Sequence, residues 1–152
     1  PYNDGNGSNS GHVRIYDWTG SLWVQRGQDI DGEAAGDNSG YSVSLSSDGN
    51  TVAIGAPYND GPGRGVPNGG HVRVWKWNGT EWTQVGEDID SDTMMENSGW
   101  RVSLNGDGTI FAVSFPLSDG NGFNPTCFIK CGISKNIATS AILPAIILLN
   151  SQ

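Results

Sequence analysis

Cysteine and basic side chains are scarce in this sequence, and each scarcity excludes a class of protein. The chain has 152 residues and two cysteines, Cys127 and Cys131, both towards the C-terminal end. Residues 1–123 therefore cannot be a disulfide scaffold, and the redox compartment stays open. The chain has 8 basic and 16 acidic residues, for a formal net charge of −8, and no cluster of Lys and Arg. Because phosphate binding needs such a cluster, nucleic acid is not an expected partner.

Long aliphatic stretches are also missing before residue 137, which argues against long helices. Glycine is abundant instead, at 23 positions, together with frequent Asn, Asp and Ser. These residues favour tight turns, so the composition predicts many short strands.

The chain contains an internal repeat. GHVRIYDWTGSLWVQRGQDID from Gly11 and GHVRVWKWNGTEWTQVGEDID from Gly70 begin 70 − 11 = 59 residues apart. The same offset aligns NSGYSVSLSSDG from Asn38 with NSGWRVSLNGDG from Asn97. It also aligns AIGAPYNDG with AVSFPLSDG. A repeat of this length indicates an array of similar structural units.

One period predicts four strands, at residues 41–45, 51–56, 71–77 and 82–89. Apolar residues alternate with the period of two that strands show, and residues 10–115 lack the 3.6 period of a helix. Asp48-Gly49 is predicted to form a type I′ hairpin turn, and Asn78-Gly79 the second hairpin turn.

Four antiparallel strands in a repeat of about 40 to 60 residues are what a β-propeller blade requires. The predicted fold class is therefore all-β, an incomplete β-propeller with about two blades' worth of four-stranded antiparallel sheets. A β-sandwich explains the alternation but not the 59-residue copy. Apolar residues on both faces of the third strand fit a blade that lies between two neighbours. Small residues would let adjacent blades approach, at Ser42, Ser44, Ala53 and Gly55.

The predicted organisation is a half blade at 1–37, a blade at 38–97, a half blade at 98–123 and a non-repeat tail at 124–152. Two blades' worth cannot close a ring that needs at least about four. Either the protein is longer, or several chains assemble, or blade faces are exposed. The tail lacks the Gly-x-Val-x-Val strand due near residue 129, so we expect it not to complete the third blade.

Two explanations of the tail remain, a truncated or mis-spliced gene model and a real amphipathic or membrane-associated end. Its apolar run, Ile137 to Leu149, is too short for a membrane span, which takes about 20 residues. Cys127 and Cys131 have no nearby His or second cysteine pair, which argues against a zinc site there.

The repeated segments described above, and not the tail, resemble the FG-GAP repeat of integrin α-chain propellers. The resemblance covers residues 1 to about 123, through Ser39-Gly40-Tyr41 and Ser98-Gly99-Trp100, through Ile54-Gly55-Ala56-Pro57, and through Gly11-His12-Val13 and Gly70-His71-Val72. It implies an extracellular or cell-surface location, ligand binding or adhesion, and calcium in the loop between the first two strands. Here that loop offers one carboxylate per copy, Asp48 or Asp107, whereas Ca²⁺ takes about six to eight oxygens. We therefore expect no ion at that loop.

Acidic loops between the blades are the alternative candidates for calcium, and no other cofactor is predicted. Alternating carboxylates can converge on a hard cation, but they can equally be solvated turns that keep the protein soluble. The candidate residues are Asp29, Asp31, Glu33 and Asp37 in one copy, matched by Asp88, Asp90, Asp92 and Glu96 in the next. The loop Asp4-Gly5-Asn6-Gly7-Ser8 has a calcium-like spacing, which its counterpart at Asp60 to Arg64 loses.

Tryptophans bracket the two hairpin turns, at equivalent positions Trp18 and Trp77, and Trp23 and Trp82. They can pack across the strands at the blade edge, or form a stacking platform for sugars. Asn6 and Asn78 lie in N-glycosylation sequences. His12 and His71 recur with the blade beside Arg14 and Arg73, which favours a structural role.

Two classes of function remain. The first is a non-catalytic extracellular binding or adhesion module that contacts a protein or glycan through loops on one propeller face, next to further blades of the same protein. The second is part of a propeller enzyme acting on polysaccharide, with its active site outside this sequence. No Gly-x-Ser-x-Gly elbow and no unique acid, base or nucleophile are present, which favours the first.

Overall fold

The computed structural model describes residues 1–61, 67–91, 94–114 and 130–133, and the last of these ranges by its backbone alone. Within these ranges every regular element is a strand, which agrees with the all-β prediction. The strands are β1 His12–Val13, β2 Tyr16–Trp18, β3 Trp23–Gln25, β4 Ile30–Asp31, β5 Ser42–Leu45, β6 Thr51–Ala56, β7 His71–Trp77, β8 Trp82–Gln84, β9 Ile89–Asp90, β10 Arg101–Leu104, β11 Ile110–Ser114 and β12 Lys130–Ile133.

The central sheet has the four antiparallel strands that the sequence predicts for one blade, and we call it the central blade. Its strands are ordered β5-β6-β7-β8, and β9 also pairs with β7, all antiparallel. The predicted fourth strand at 82–89 is corrected here, because it divides into β8 and β9. Gly86 lies between them with φ of +77°, a left-handed conformation that interrupts a strand. β8 pairs with the second half of β7, and β9 returns to its first half.

The flanking sheets repeat parts of this blade in the same register. His12 pairs with Asp31 as His71 pairs with Asp90, one period later. β2 and β3 pair as the end of β7 pairs with β8, and β10 and β11 pair as β5 and β6 do. The sheets do not close into a barrel within the described residues. The sequence therefore folds as consecutive, propeller-like antiparallel units.

Both faces of the central blade carry an apolar cluster, as predicted for a blade between neighbours. One cluster packs it against the preceding unit through Ile15, Ile30, Val52, Ile54 and Trp82. The other packs it against the following unit through Ala53, Val72, Val74, Phe111 and Val113. Successive residues of β6 and β7 alternate between the clusters, because side chains along a strand point to opposite faces.

Consecutive units also contact each other through backbone atoms. Parallel bridges join Gly11 to Ser39 and, one period later, Gly70 to Ser98. The Ser42 hydroxyl donates to the carbonyl of Gly99 at 2.7 Å. A Cβ at Gly55 would lie 2.1 Å from the same carbonyl, so this approach requires glycine. The predicted close approach at the small residues is confirmed at Ser42 and Gly55.

The first hairpin turn differs from its prediction. A type I′ turn needs positive φ at both central residues, and of Asp48-Gly49 only Gly49 is left-handed, with φ of +70°. The turn is closed instead by the Ser46 side chain. Its hydroxyl donates to Asp48 at 2.6 Å and accepts from the Thr51 amide at 2.9 Å.

The tail also differs from its prediction at residues 130–133. They form β12 and pair antiparallel with β11, although we expected no third strand there. Ile110 pairs with Ile133, whereas its equivalent Thr51 pairs with Lys76, whose own equivalent is residue 76 + 59 = 135. A strand edge pairs through backbone groups, which need an extended segment and not the Gly-x-Val-x-Val side chains. A fourth strand would lie outside the described residues, and the blade boundaries given above stay predictions.

Candidate functional site

The blades have two chemically different ends. The register of β5 to β7 places Ser42, Ala56 and His71 at one end, which also holds the segments that connect one unit to the next. We call it the connector end. The opposite end holds the short turns at 46–51, 78–81 and 105–110. The described acidic candidates and a set of aromatic rings lie at the connector end, so it is the candidate functional surface.

His71 lies at the centre of a group of carboxylates, which we call the His71 cluster. Its Nδ1 is 3.9 Å from Glu33 Oε2, 4.0 Å from Asp88 Oδ2 and 3.8 Å from Asp90 Oδ1. The side chain of His71 is 1% exposed, and its Nδ1 has no hydrogen-bond partner. Glu33, His71 and Asp88 each place one ligand atom within 4.8 Å of the other two.

Neighbouring side chains orient the acids of the cluster. Gln84 Nε2 donates to Asp88 Oδ1 at 2.6 Å, which leaves Oδ2 towards His71. Arg73 NH1 lies 3.6 Å from Glu33 Oε1, and Arg73 NH2 donates to the carbonyl of Asp31 at 2.7 Å. Arg73, on the third strand of the central blade, is thus buried against the connector of the preceding copy.

Burial sets the protonation of the cluster. It lowers the pKa of His71 from 6.5 to about 4, helped by the charge of Arg73 and opposed by Asp88, so the imidazole is neutral at pH 7. Burial also raises the pKa of Glu33, and Asp88, Asp37 and Asp90 raise it further against the opposing charge of Arg73.

The first copy has an equivalent group, His12, Asp29 and Asp31. Its arginine, Arg14, has a different partner from Arg73. Arg14 makes a bidentate pair with Asp29, from Nε to Oδ1 at 2.9 Å and from NH2 to Oδ2 at 2.6 Å, and Gln25 donates to the same carboxylate at 2.7 Å. These bonds lower the pKa of Asp29 to about 2. The carboxylate is therefore occupied, whereas Asp88 keeps an oxygen for the His71 cluster.

Two other acidic candidates, Asp37 and Glu96, are bonded elsewhere. Asp37 is buried and accepts from Asn59 Nδ2 at 3.0 Å and from the Ala34 amide at 2.9 Å, which ties the connector to the next blade. Glu96 accepts from the Ser91 hydroxyl. Asp92 lies outside the described residues. Among the described candidates, the structure brings Glu33 of one copy together with Asp88 and Asp90 of the next, and calcium binding by the acidic loops stays a prediction.

Asp48 and Asp107 lie in turns at the opposite end and are bonded within them. Asp48 accepts from Ser46 and Asn50, and these hydrogen bonds lower its pKa to about 2. Asp107 accepts from Thr109, which also lowers its pKa. In the loop at Asp4, one carboxylate oxygen accepts from the Asn9 amide at 2.7 Å.

Three aromatic rings form a second feature of the connector end, which we call the aromatic cluster. The ring centroids of Tyr41 and Trp100 are 4.7 Å apart, and Tyr58 lies 6.3 Å from Tyr41 and 6.2 Å from Trp100. All three are partly exposed. Sequence reasoning missed this cluster, although Tyr41 and Trp100 occupy equivalent positions of the repeat, which was the available signal.

The tryptophan pairs at the hairpins are equivalent in sequence but not in environment. Trp77 and Trp82 pack at 5.5 Å, and the guanidinium of Arg26 in the preceding unit covers Trp77. Trp82 is 2% exposed and its Nε1 donates to the carbonyl of Arg26 at 2.8 Å. The sugar-platform hypothesis is therefore wrong for Trp82, which has no free face. Trp18 and Trp23 pack at 5.3 Å and are 54% and 65% exposed, because nothing in the described structure covers them.

The two glycosylation candidates also differ. Asn78 is exposed in the β7–β8 turn, where its side-chain oxygen Oδ1 accepts from the backbone amides of Thr80 and Glu81. Asn6 donates through Nδ2 to the carbonyl of Gly32 at 2.9 Å, so its amide nitrogen is already bonded.

Comparison with known proteins supports the repeat. Residues 30–72 match the family model of the FG-GAP repeat. No curated protein matches the chain. The described residues include no helix of the length and apolarity needed to cross a bilayer. The matched stretch runs from β4 through β5 and β6 to the start of β7, the strands that build and join the units described above. Residues 30–72 of the chain are therefore an FG-GAP repeat.

Proposed function

We propose that this chain is a non-catalytic binding module of an extracellular or cell-surface β-propeller, and that its ligand is a neutral glycan held at the connector end. The observation that carries the proposal is the aromatic cluster of Tyr41, Tyr58 and Trp100. Further blades of the same protein are the expected neighbours of its outer faces.

The aromatic cluster has the chemistry of a carbohydrate surface. Aromatic rings offer wide apolar faces at low entropic cost, and tyrosine adds a hydroxyl for hydrogen bonding. The rings come from three separate segments around β5, β6 and β10, so the folded arrangement of two consecutive units assembles them. Burial raises the pKa of Tyr58, helped by Tyr41 and by Tyr2, which is itself 71% exposed.

Charge favours a neutral ligand over an acidic one. The chain carries a net charge of −8, and three carboxylates lie at the same end of the blades in the His71 cluster. An acidic polymer would be repelled by this field.

Affinity electrophoresis in native gels that contain glucan, mannan or xylan tests the proposal. At least one of these polymers should retard the chain, and Trp100→Ala should weaken the retardation by at least about tenfold, as expected for a central aromatic contact. Trp18→Ala is the matched control, because it removes an exposed ring outside the cluster, and should bind as the parent does.

Three outcomes would contradict parts of the proposal. Absence of retardation in all three gels argues against a glycan ligand, and a protein ligand that requires Trp100 would then identify the partner class. Loss of binding in Trp18→Ala would move the site to the hairpin pair. Shortening of the polymer by the purified chain would refute the non-catalytic assignment.

A further inference from the structure

We propose that Glu33, His71 and Asp88 form a binding site for a divalent transition-metal ion of the zinc class, with Asp90 beside it, at the boundary between two consecutive units. This site is distinct from the aromatic cluster and does not depend on the glycan proposal. It also differs from an all-oxygen calcium loop, because an imidazole nitrogen lies at its centre.

Geometry is the first argument. Zn²⁺ binds nitrogen at about 2.0–2.1 Å and carboxylate oxygen at about 2.0–2.2 Å, so two ligand atoms on one ion lie roughly 3–4 Å apart. His71 Nδ1 lies 3.9 Å from Glu33 Oε2 and 4.0 Å from Asp88 Oδ2. Small rotations of the two partly exposed carboxylates therefore suffice to bring all three atoms onto one ion.

The second argument is the unsatisfied state of His71. Its side chain is 1% exposed, and Nδ1 has no hydrogen-bond partner. Buried polar atoms are nearly always bonded, and each exception needs an explanation. The surrounding oxygens are at 3.8–4.0 Å, beyond the hydrogen-bond range of about 2.7–3.2 Å. Direct hydrogen bonds therefore leave the nitrogen unsatisfied, whereas an ion between it and the oxygens satisfies it.

Charge and orientation agree with this site. Glu33, Asp88 and Asp90 contribute −3 and Arg73 contributes +1, so the site sums to −2 and a divalent ion neutralises it. Gln84 holds Asp88 so that Oδ2 stays towards His71. Outer contacts of this kind fix the ligands of metal sites in proteins.

The choice of ion follows from the donors. Calcium takes about six to eight oxygen ligands, whereas one imidazole with two or three carboxylates suits zinc and its neighbours. Glu33 comes from the connector that precedes the central blade, and the other two ligands come from that blade. An ion bound here would therefore join consecutive units.

Zinc titration by calorimetry tests the site, on the full chain with Cys127→Ser and Cys131→Ser so that no thiolate can bind the ion. We expect one Zn²⁺ per chain and a higher melting temperature when it is bound. Glu33→Gln and Asp88→Asn should each weaken binding by at least about tenfold, since even changes outside the ligand shell cost about that much. Both replaced side chains are partly exposed, so the variants should keep the parent circular dichroism.

Asp29→Asn is the matched control, because Asp29 occupies the position of Asp88 one repeat earlier and is held by Arg14. It should retain the parent affinity for zinc. The proposal is overturned if the parent does not bind Zn²⁺, if both Glu33→Gln and Asp88→Asn bind as tightly as the parent, or if Asp29→Asn loses as much affinity as Asp88→Asn. Tighter binding of Ca²⁺ than of Zn²⁺ would overturn the class of ion.

Discussion

Replacing Trp82 by alanine should destabilise the protein far more than the same change at Trp23, although the two tryptophans are equivalent in the repeat. Trp82 is 2% exposed and Trp23 is 65% exposed. The difference arises because the preceding unit covers Trp82 with the backbone of Arg26 and with Gln28. Gln28 exchanges two hydrogen bonds with the Trp82 backbone, at 2.8 and 3.1 Å.

The expected size follows from the buried area. A buried tryptophan removes about 200 Å² from water, and about 25 cal/mol per Å² gives about 5 kcal/mol as an upper estimate. The lost Nε1–H bond also leaves the Arg26 carbonyl without that partner. We therefore expect Trp82→Ala to lower the free energy of unfolding by about 3–5 kcal/mol. Trp23 buries only about a third of its area. Trp23→Ala should therefore lower the free energy of unfolding by about 1–2 kcal/mol.

Urea unfolding followed by circular dichroism measures both losses. If Trp82→Ala does not fold, the pair Trp82→Phe and Trp23→Phe replaces it, because phenylalanine keeps most of the apolar volume and removes the indole donor. The Trp82 variant should then lose about 1–3 kcal/mol through the unpaired carbonyl, and the Trp23 variant close to nothing. Equal losses at both positions would refute the conclusion that contact between units, and not the hairpin itself, buries Trp82.

Three further predictions concern the contact between units, stability at acidic pH and N-glycosylation. Gly55→Ala should lower the free energy of unfolding in urea by about 1–3 kcal/mol, because its Cβ would meet a carbonyl of the next unit. Gly106→Ala should lower it less, because its Cβ would meet only a Ser47 side chain. Equal losses in the two variants would contradict this prediction. The pKa of Asp48 is lowered to about 2 in the folded state, so its stabilisation is present above its unfolded value near 3.8 and is lost as the pH falls towards 2. Asp48→Asn should therefore make the urea midpoint of unfolding change less between pH 5 and pH 2 than it does in the parent. An unchanged pH dependence would contradict this prediction. In a secretory host Asn78→Gln, not Asn6→Gln, should remove an N-glycan mass shift, because the nitrogen of Asn6 is bonded to Gly32; loss of the shift in Asn6→Gln alone would reverse this.

Strand order and packing could be predicted from the sequence because two copies report the same structure independently. The bounds of β6 and β7 match the alternation of apolar residues at 51–56 and 71–77. Turn chemistry was predicted less well. Asp48-Gly49 suits a type I′ turn, but the hydroxyl of Ser46 stabilises a different closure, and residue propensities do not report such a bond.

The candidate site was harder to predict because its residues come from different copies. Alternating carboxylates in one loop suggested a local site, whereas Glu33 meets Asp88 only after two units dock. Recurrence of His12 and His71 indicated a structural role, yet Arg14 and Arg73 have different partners, which gives the two histidines different surroundings. A pattern common to both copies cannot show such a difference.

Besides the apolar clusters, the contacts between units include main-chain groups and glycines, at Gly11 with Ser39, at Gly70 with Ser98, and at Gly55 with Gly99. A contact that uses carbonyl and amide groups is available to almost any side chain outside the few small positions. Exposed residues of one copy can therefore diverge without spoiling the fit to its neighbours. Gene duplication could lengthen such an array with units that fit at once, and each new copy would be free to acquire its own surface chemistry.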